Sequence, residues 1–599
     1  MIDSKETALI DSSPTSPAAP ARLRARIMAS GYRYQMLDGK NIDGFELELR
    51  EESKPNQSAP YLKAIAIVLG LVAMALLVAL VFVIAQQSRE DDFQVCITAE
   101  CVSTSAAILS RMDSEIHPCE DMYHLACGKW INNTMLPSGF SRLSMLGQIS
   151  SRNQVKMRKL LESDGTLLGN NNSTAVNKLK IWYRTCMDRD TIEQQGHDRL
   201  LEMMVELGFW TVSPPPQGQL PWNRDQWSLQ DALVKTHKLF GSSLFDISIE
   251  KDPTEENENI LMFTQDGLTL SYKNEYKDKS NNFKKAFIAF AVQVGTLLGG
   301  DADNVSAKME QVYEFEKNLS EIFVPREKLI DPLQIYKKFS LLQFQEMLGD
   351  WLNIKSYLKE IFYGREFSND TDIIVTTPAY FSQLGQVVNA TDKETLANYV
   401  IWNIVQSMLE YLPDDFRQAS LLLTQAENGV SSLPERWIRC LREARSAVGF
   451  ASSALFVENY FSPQSKIKVD NVLEQVKLQF ISNLDSVDWL DEVTRLRLVD
   501  KAKAVSSLVG YPDWILQAEN LDHRYEKLTV KEGDLFNNNL HLISYLFNRT
   551  LEKYDKKPDP EEWHFFPDIV NAFYNPLYNN IVMPAGILQP PVYSPDYPE

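Results

Sequence analysis

Histidine is scarce in this chain. There are seven in 599 residues: His117, His124, His197, His237, His523, His541 and His564. None is followed by glutamate and no two are four apart, so there is no H-E-x-x-H. Within these residues that excludes the helical zinc site in which two His share a face and the intervening Glu takes a proton from zinc-bound water. There is also no G-x-S-x-G, no C-x-x-C and no glycine-rich phosphate loop, so serine-hydrolase, thioredoxin-like and nucleotide chemistries have no carrier. The seven His read as core or surface residues. An excess of positive charge is missing too: 60 Lys and Arg stand against 80 Asp and Glu, a formal charge of −20. Nucleic acid and anionic lipid are therefore not expected partners.

Long apolar runs are absent with one exception. Residues 64–85, AIAIVLGLVAMALLVALVFVIA, are 22 residues without charge. A helix of that length covers the roughly 30 Å core of a bilayer. The run is too long for a signal-peptide core and starts far from the N-terminus, which predicts an uncleaved signal anchor. Residues 43–63 carry Arg50, Lys54 and Lys63, whereas residues 86–106 carry only Arg89. The richer side stays in the cytoplasm, so the orientation is type II, with the ectodomain outside the cell. The expected organisation is a cytoplasmic, largely disordered tail over 1–63, the anchor over 64–85, a stalk over 86–117 and a large globular region beyond. The tail's nine basic and nine acidic residues cancel, which leaves the whole net charge on the ectodomain. All six cysteines (Cys96, Cys101, Cys119, Cys127, Cys186, Cys440) follow the anchor, and an even number there suggests disulfides, although spacing alone selects no pairing. Sequons at Asn132, Asn171, Asn172, Asn304, Asn318, Asn369, Asn389 and Asn548 predict a glycoprotein.

From about residue 118 the apolar spacing is helical. Helices are predicted over 155–161, 178–186, 199–207, 229–239, 283–298, 311–323, 396–412, 472–484 and 494–508, with Asp491 as the cap of the last. Strands are few: 244–249, 372–375, and a hairpin of 569–574 and 580–583 around Asn575, Pro576 and Asn579. The fold class is mainly α.

Several stretches together resemble the neprilysin and endothelin-converting enzyme family of membrane zinc metalloendopeptidases, closest to the endothelin-converting branch. They are CVSTSAAILSRMDSEIHPCEDMYHLACGKW after the anchor, WYRTCMD at Cys186, LPERWIRC ending at Cys440, WLDEVTRLRLVDKAKAVSSLVGYP, and VNAFYNPLYNNIVMPAGILQPP. The resemblance is collinear from about Cys96 to the last residue. It implies a helical, two-lobed ectodomain around a cavity, with an N-terminal peptidase domain over 118–560 and the start of a catalytic domain over 561–599. It also implies a zinc cofactor and cleavage of oligopeptides on the N-terminal side of hydrophobic residues. The expected partners are peptide substrates and the plasma membrane, with a homodimer left open.

The resemblance further implies roles for particular residues. Asn571 and Ala572 match an edge strand that pairs with the substrate backbone, and Arg142 matches an arginine that anchors the substrate's C-terminal side. The family aromatic after that arginine is Leu143 here. Cys96 with Cys101 and Cys186 with Cys440 match family disulfides, whereas Cys119 and Cys127 match cysteines whose partners sit near the family's far C-terminus and have no counterpart here. The zinc motif lies a short distance beyond PAGILQPP in the family. The expectation is therefore an incomplete metallopeptidase chain, inactive as given. The alternative is a genuine short, membrane-anchored peptide-binding or partner protein.

Overall fold

A computed structural model describes residues 60–87, 97–137, 139–163, 173–331, 335–595 and 597, with side chains of the first stretch given only at 65 and 67–79. The predicted tail up to residue 59, Cys96, Asn171 and Asn172 lie outside the described residues. The chain divides into two compact units, Met1–Val95 and Cys96–Glu599.

In the first unit, helix α1 (Pro60–Gln87) contains the apolar run. Ile65, Val68, Leu71, Met74 and Leu77 all point to solvent. Among the described residues no helix is long and apolar enough to cross a membrane.

The second unit is mainly helical and holds two hydrophobic cores. The first surrounds a four-stranded sheet in the order β1-β2-β4-β3: β1 Phe245–Lys251, β2 Asn259–Gln265, β3 Lys338–Ser340 and β4 Asp372–Val375. β2 runs antiparallel to β1 and parallel to β4. Leu261, Phe263, Ile373 and Val375 bury one layer of it, and helix Lys393–Met408 is buried nearly all round, as an interior helix must be.

The second core is built from helices α2 (Met145–Glu162), α3 (Thr174–Met187) and α4 (Arg436–Tyr460) and a three-stranded sheet. α3 starts at Ser173, whose hydroxyl accepts from the Val176 amide. The Asp522 carboxylate takes the next donors, Ser173 Oγ, Thr174 N and Ala175 N, at 2.6 to 3.0 Å. A negative group there satisfies amides that a helix start leaves open. Cys186 of α3 is disulfide-bonded to Cys440 of α4 across 254 residues, and both are fully buried. α4 departs from helical geometry at Val448 (φ −132°, ψ 51°). A Cβ on the next residue, Gly449, would lie 2.4 Å from the Phe566 ring, so the bend and the glycine together let that ring pack flat on backbone. Helix Leu535–Lys553 joins the two cores: Phe536 and Phe547 enter the first, Leu542 and Tyr545 the second.

Helices α5 (Pro463–Asn483) and α6 (Glu492–Lys503) follow α4. Asp491 caps α6 by accepting from the Thr494 amide at 2.9 Å. Two expectations need correction. The helix expected over 494–508 ends at Lys503, and Ser506–Gly510 is strand β5, because its backbone pairs in parallel with β7 (Asn580–Pro584). The first hairpin strand is Phe573–Asn575 (β6), not 569–574. The residues before it are held by side chains described below. The expected stalk contains a helix, Ala99–Leu109, capped by Thr98 Oγ1.

Candidate functional site

The second sheet has the order β5-β7-β6. β7 is central: Ile581 faces Ser507 of β5 on one side and Tyr574 of β6 on the other. β6 is thus an edge strand, three residues long, and an edge presents unpaired main-chain donors and acceptors. Asn571 and Ala572 lead into it, and both are exposed. The Asn571 Oδ1 accepts from the Ala572 amide at 2.9 Å. This self-contact occupies one of the main-chain donors at the head of the strand.

The turn behind β6 is fastened. Tyr574 Oη donates to Asn579 Oδ1 at 2.8 Å, and Asn579 Nδ2 reaches the Lys501 carbonyl of α6. Asn579 has φ 49°, a left-handed conformation that asparagine tolerates. Upstream, Asp568 is buried and accepts from Ser452 Oγ at 2.7 Å and Ser453 Oγ at 3.2 Å. Burial raises its pKa, opposed by the nearby Arg445 guanidinium and the two hydroxyls. Gly586 fits where no side chain would: a Cβ there would come within 2.4 Å of the Ile569 and Asp568 carbonyl oxygens. Its own carbonyl accepts from Asn153 Nδ2 at 2.9 Å, and Lys156 Nζ donates to Gln589 Oε1 at 2.9 Å. Helices α2 and α4 thereby fix the segment from which β6 projects. Sequence reasoning missed Asn153, Ser452, Ser453 and Asp568, and nothing in local spacing announces them.

Residues 118–512 match the sequence pattern of Peptidase family M13. The chain belongs to peptidase family M13. Endothelin-converting enzyme 1 of Bos taurus is 32% identical over 545 residues, 90% of this chain and 70% of that one. The endothelin-converting enzyme homolog of Locusta migratoria is 32% identical over 515 residues, 84% and 70% of the two chains. Among solved structures, the Mycobacterium tuberculosis zinc metalloprotease ZMP1 in complex with inhibitor has a TM-score of 0.69 at 20% identity, covering 82% of this chain and 71% of that one. That likeness shows the M13 fold.

Zinc is the metal this family leads one to expect, and the residues described here do not fit it. Among them no group of three or more His, Cys, Asp or Glu is arranged to hold a metal ion. His237 is buried in the first core: its Nε2–H faces the Ser243 carbonyl at 2.9 Å, leaving Nδ1 to accept from Tyr357 Oη at 2.5 Å. Burial lowers its pKa from 6.5 to about 4. His564 packs at a tilt against the Tyr578 ring, and His523 is largely exposed.

The other expected residues are scattered. Arg142 is exposed on the loop before α2, and among the described contacts none joins it to Asn571 or Ala572. Cys101 is disulfide-bonded. Cys119 and Cys127 are free thiols, the first exposed and the second half-buried. Asn132, Asn318, Asn369 and Asn389 are exposed. Asn304 is different: its Nδ2, the atom a glycan would take, donates to the Thr211 and Val212 carbonyls at 3.3 and 3.2 Å. Asn548 Oδ1 accepts from Tyr363 Oη at 3.2 Å.

Proposed function

We propose that this chain is a type II, single-pass plasma-membrane glycoprotein of the zinc metalloendopeptidase type, and that residues 571–575 hold its oligopeptide substrate as an added strand. The observation that carries this is the open edge of β6 with Asn571 and Ala572 exposed at its head. The 22-residue apolar run, its charge flanks and the sequons support the membrane reading. A peptide laid along β6 gains main-chain hydrogen bonds that any sequence can supply. To receive it, Asn571 must release the Ala572 amide to a peptide carbonyl. The freed carboxamide, with one acceptor and two donors, can then grip the peptide backbone in return.

The family type implies cleavage on the N-terminal side of a hydrophobic residue. The described residues supply no zinc ligands, so peptide binding is assigned to them and no bond-breaking step. That observation favours a second reading, binding without cleavage. One preparation tests both: the full chain in detergent, loaded with zinc and dialysed, then assayed for metal content, for hydrolysis of a fluorogenic peptide and for peptide binding. Binding without stoichiometric zinc or hydrolysis supports the second reading. Chelator-sensitive hydrolysis overturns it, and the absence of any peptide binding overturns the strand assignment itself. Topology is tested separately. Protease added outside intact cells should remove the ectodomain, and an N-terminus accessible from outside would refute type II insertion.

A further inference from the structure

Between the chain over 207–228 and helix Leu229–His237 lies a cavity of about 250 Å³. Its apolar wall is a pair of indoles. Trp222 and Trp227 meet at 6.4 Å between ring centroids, with a 53° tilt. Trp227 is buried in the first core, and Trp222 packs against that core with part of its surface open. The Trp222 Nε1–H is buried and has no acceptor among the described residues. The polar residues of the cavity have unused hydrogen-bonding groups. Among the described residues, the side chains of Gln226 and Asp231 make no hydrogen bond or ion pair. Asn223 Oδ1 accepts from the Asp225 amide at 2.9 Å, which leaves its Nδ2 donors. Ser228 Oγ accepts from the Asp231 amide at 3.3 Å and keeps its own proton to donate. Lys235 is already engaged, donating to the Glu206 carbonyl at 2.9 Å.

This mixture narrows the ligand class. An anion would face the bare Asp231 carboxylate. A cation would suit Asp231 and the rings, but would leave the donors of Trp222, Asn223 and Ser228 without acceptors. A neutral molecule with several hydroxyls matches, because each hydroxyl both donates and accepts. The indole pair adds a second requirement. Aromatic faces carry negative charge, which attracts the slightly positive hydrogens of aliphatic C–H groups. A pyranose ring has both features, hydroxyls around its rim and a C–H face. The volume is below the roughly 300–1,000 Å³ of sites for drug-sized ligands, as suits a single ring. We infer that this cavity binds one neutral pyranose ring of a saccharide.

Two sources can supply the ring, a glycan on this chain or a saccharide from outside. Arg224, two residues after Trp222, is ion-paired with Asp392. The exposed sequon Asn389 ends helix Pro378–Asn389, three residues before Asp392. Three residues of chain span at most roughly 11 Å, so a glycan there starts close to the cavity.

Saturation-transfer NMR tests the site, on the full chain from a glycosylating animal-cell host in polyoxyethylene detergent, which has no sugar headgroup. The probes are the methyl glycosides of glucose, galactose, mannose and N-acetylglucosamine, with choline chloride as the cationic control. The parent chain and Asn389→Gln are measured side by side. Saturable transfer to a glycoside in both chains supports the inference and assigns the site to outside saccharide. Transfer in Asn389→Gln alone also supports it, and shows that the chain's own glycan fills the cavity. Trp222→Phe keeps a ring and removes the N–H, and should weaken the glycoside about fivefold. Gln226→Ala, at an exposed side chain with no partner to lose, should do the same. An affinity that neither variant changes places the sugar elsewhere and overturns the inference. So does choline binding in place of the glycosides, and so does the absence of transfer to every glycoside in both chains.

Discussion

Asn153 donates to the carbonyl of Gly586 at 2.9 Å, across 433 positions of chain. Asn153 sits on α2 and Gly586 in the turn after β7, packed against the Ile569 and Asp568 carbonyls. This one bond ties the first helix of the second core to the segment that presents β6, the strand proposed to pair with a peptide. Asn153→Ala should leave a buried carbonyl without its donor and cost about 1–3 kcal/mol. Gly586→Ala should cost more, because backbone rather than a flexible side chain stands where the new Cβ would go. Urea denaturation of the full chain checks both. A Gly586→Ala variant as stable as the parent would show that the turn is looser than described.

Two buried groups titrate in opposite senses, and their separation can be measured. Burial lowers His237 from 6.5 to about 4, so between those values the unfolded chain binds more protons and stability is lost as pH falls. Burial raises Glu316 from 4.5 to about 7, against hydrogen bonds from Tyr276 and Thr269. Its contribution is therefore full below 4.5 and lost as pH rises through 7. The two trends oppose each other over nearly the same window. Removing one exposes the other: Glu316→Gln should make stability rise from pH 5 to pH 7.5 by about 2 kcal/mol more than in the parent chain. Urea midpoints at the two pH values provide the comparison, and an unchanged pH dependence would mean that Glu316 does not titrate in this range.

The sequons should not be equally occupied. Asn132, Asn369 and Asn389 are exposed and should carry glycans under the proposed topology. Asn304, with its Nδ2 committed to two carbonyls, should carry the least. Peptide mapping after enzymatic deglycosylation in heavy-oxygen water reads occupancy at each site. Full occupancy at Asn304 would show that the glycan is added before that segment folds and that its helix tolerates losing the contacts.

Helices were the legible part of the sequence. The apolar spacing over 283–298 marks helix Asn282–Leu297 to within a residue, and Asp491 is the cap it was expected to be. The strand at 372–375 has its expected bounds. Strands whose partners are distant were not legible. Ser506–Gly510 continues the apolar spacing of the helix before it, and only its pairing with Asn580–Pro584 makes it a strand. β2 is a run of apolar residues that becomes a strand by pairing with β1 and β4. At the site, Asn571 and Ala572 were named through family resemblance. The residues that hold them, Asn153, Ser452, Ser453 and Asp568, act over separations of more than a hundred positions, which no local period encodes.

The central claim is that a peptide joins the sheet at β6. Amide hydrogen exchange of the full chain, with and without a saturating Ala-Ala-Leu-Ala-Ala amide, tests it most directly. The account predicts slower exchange confined mainly to the segment 571–576, and loss of that protection in Asn571→Ala at the same peptide concentration. A peptide that binds while 571–576 exchanges as fast as before, with protection appearing elsewhere, would contradict it.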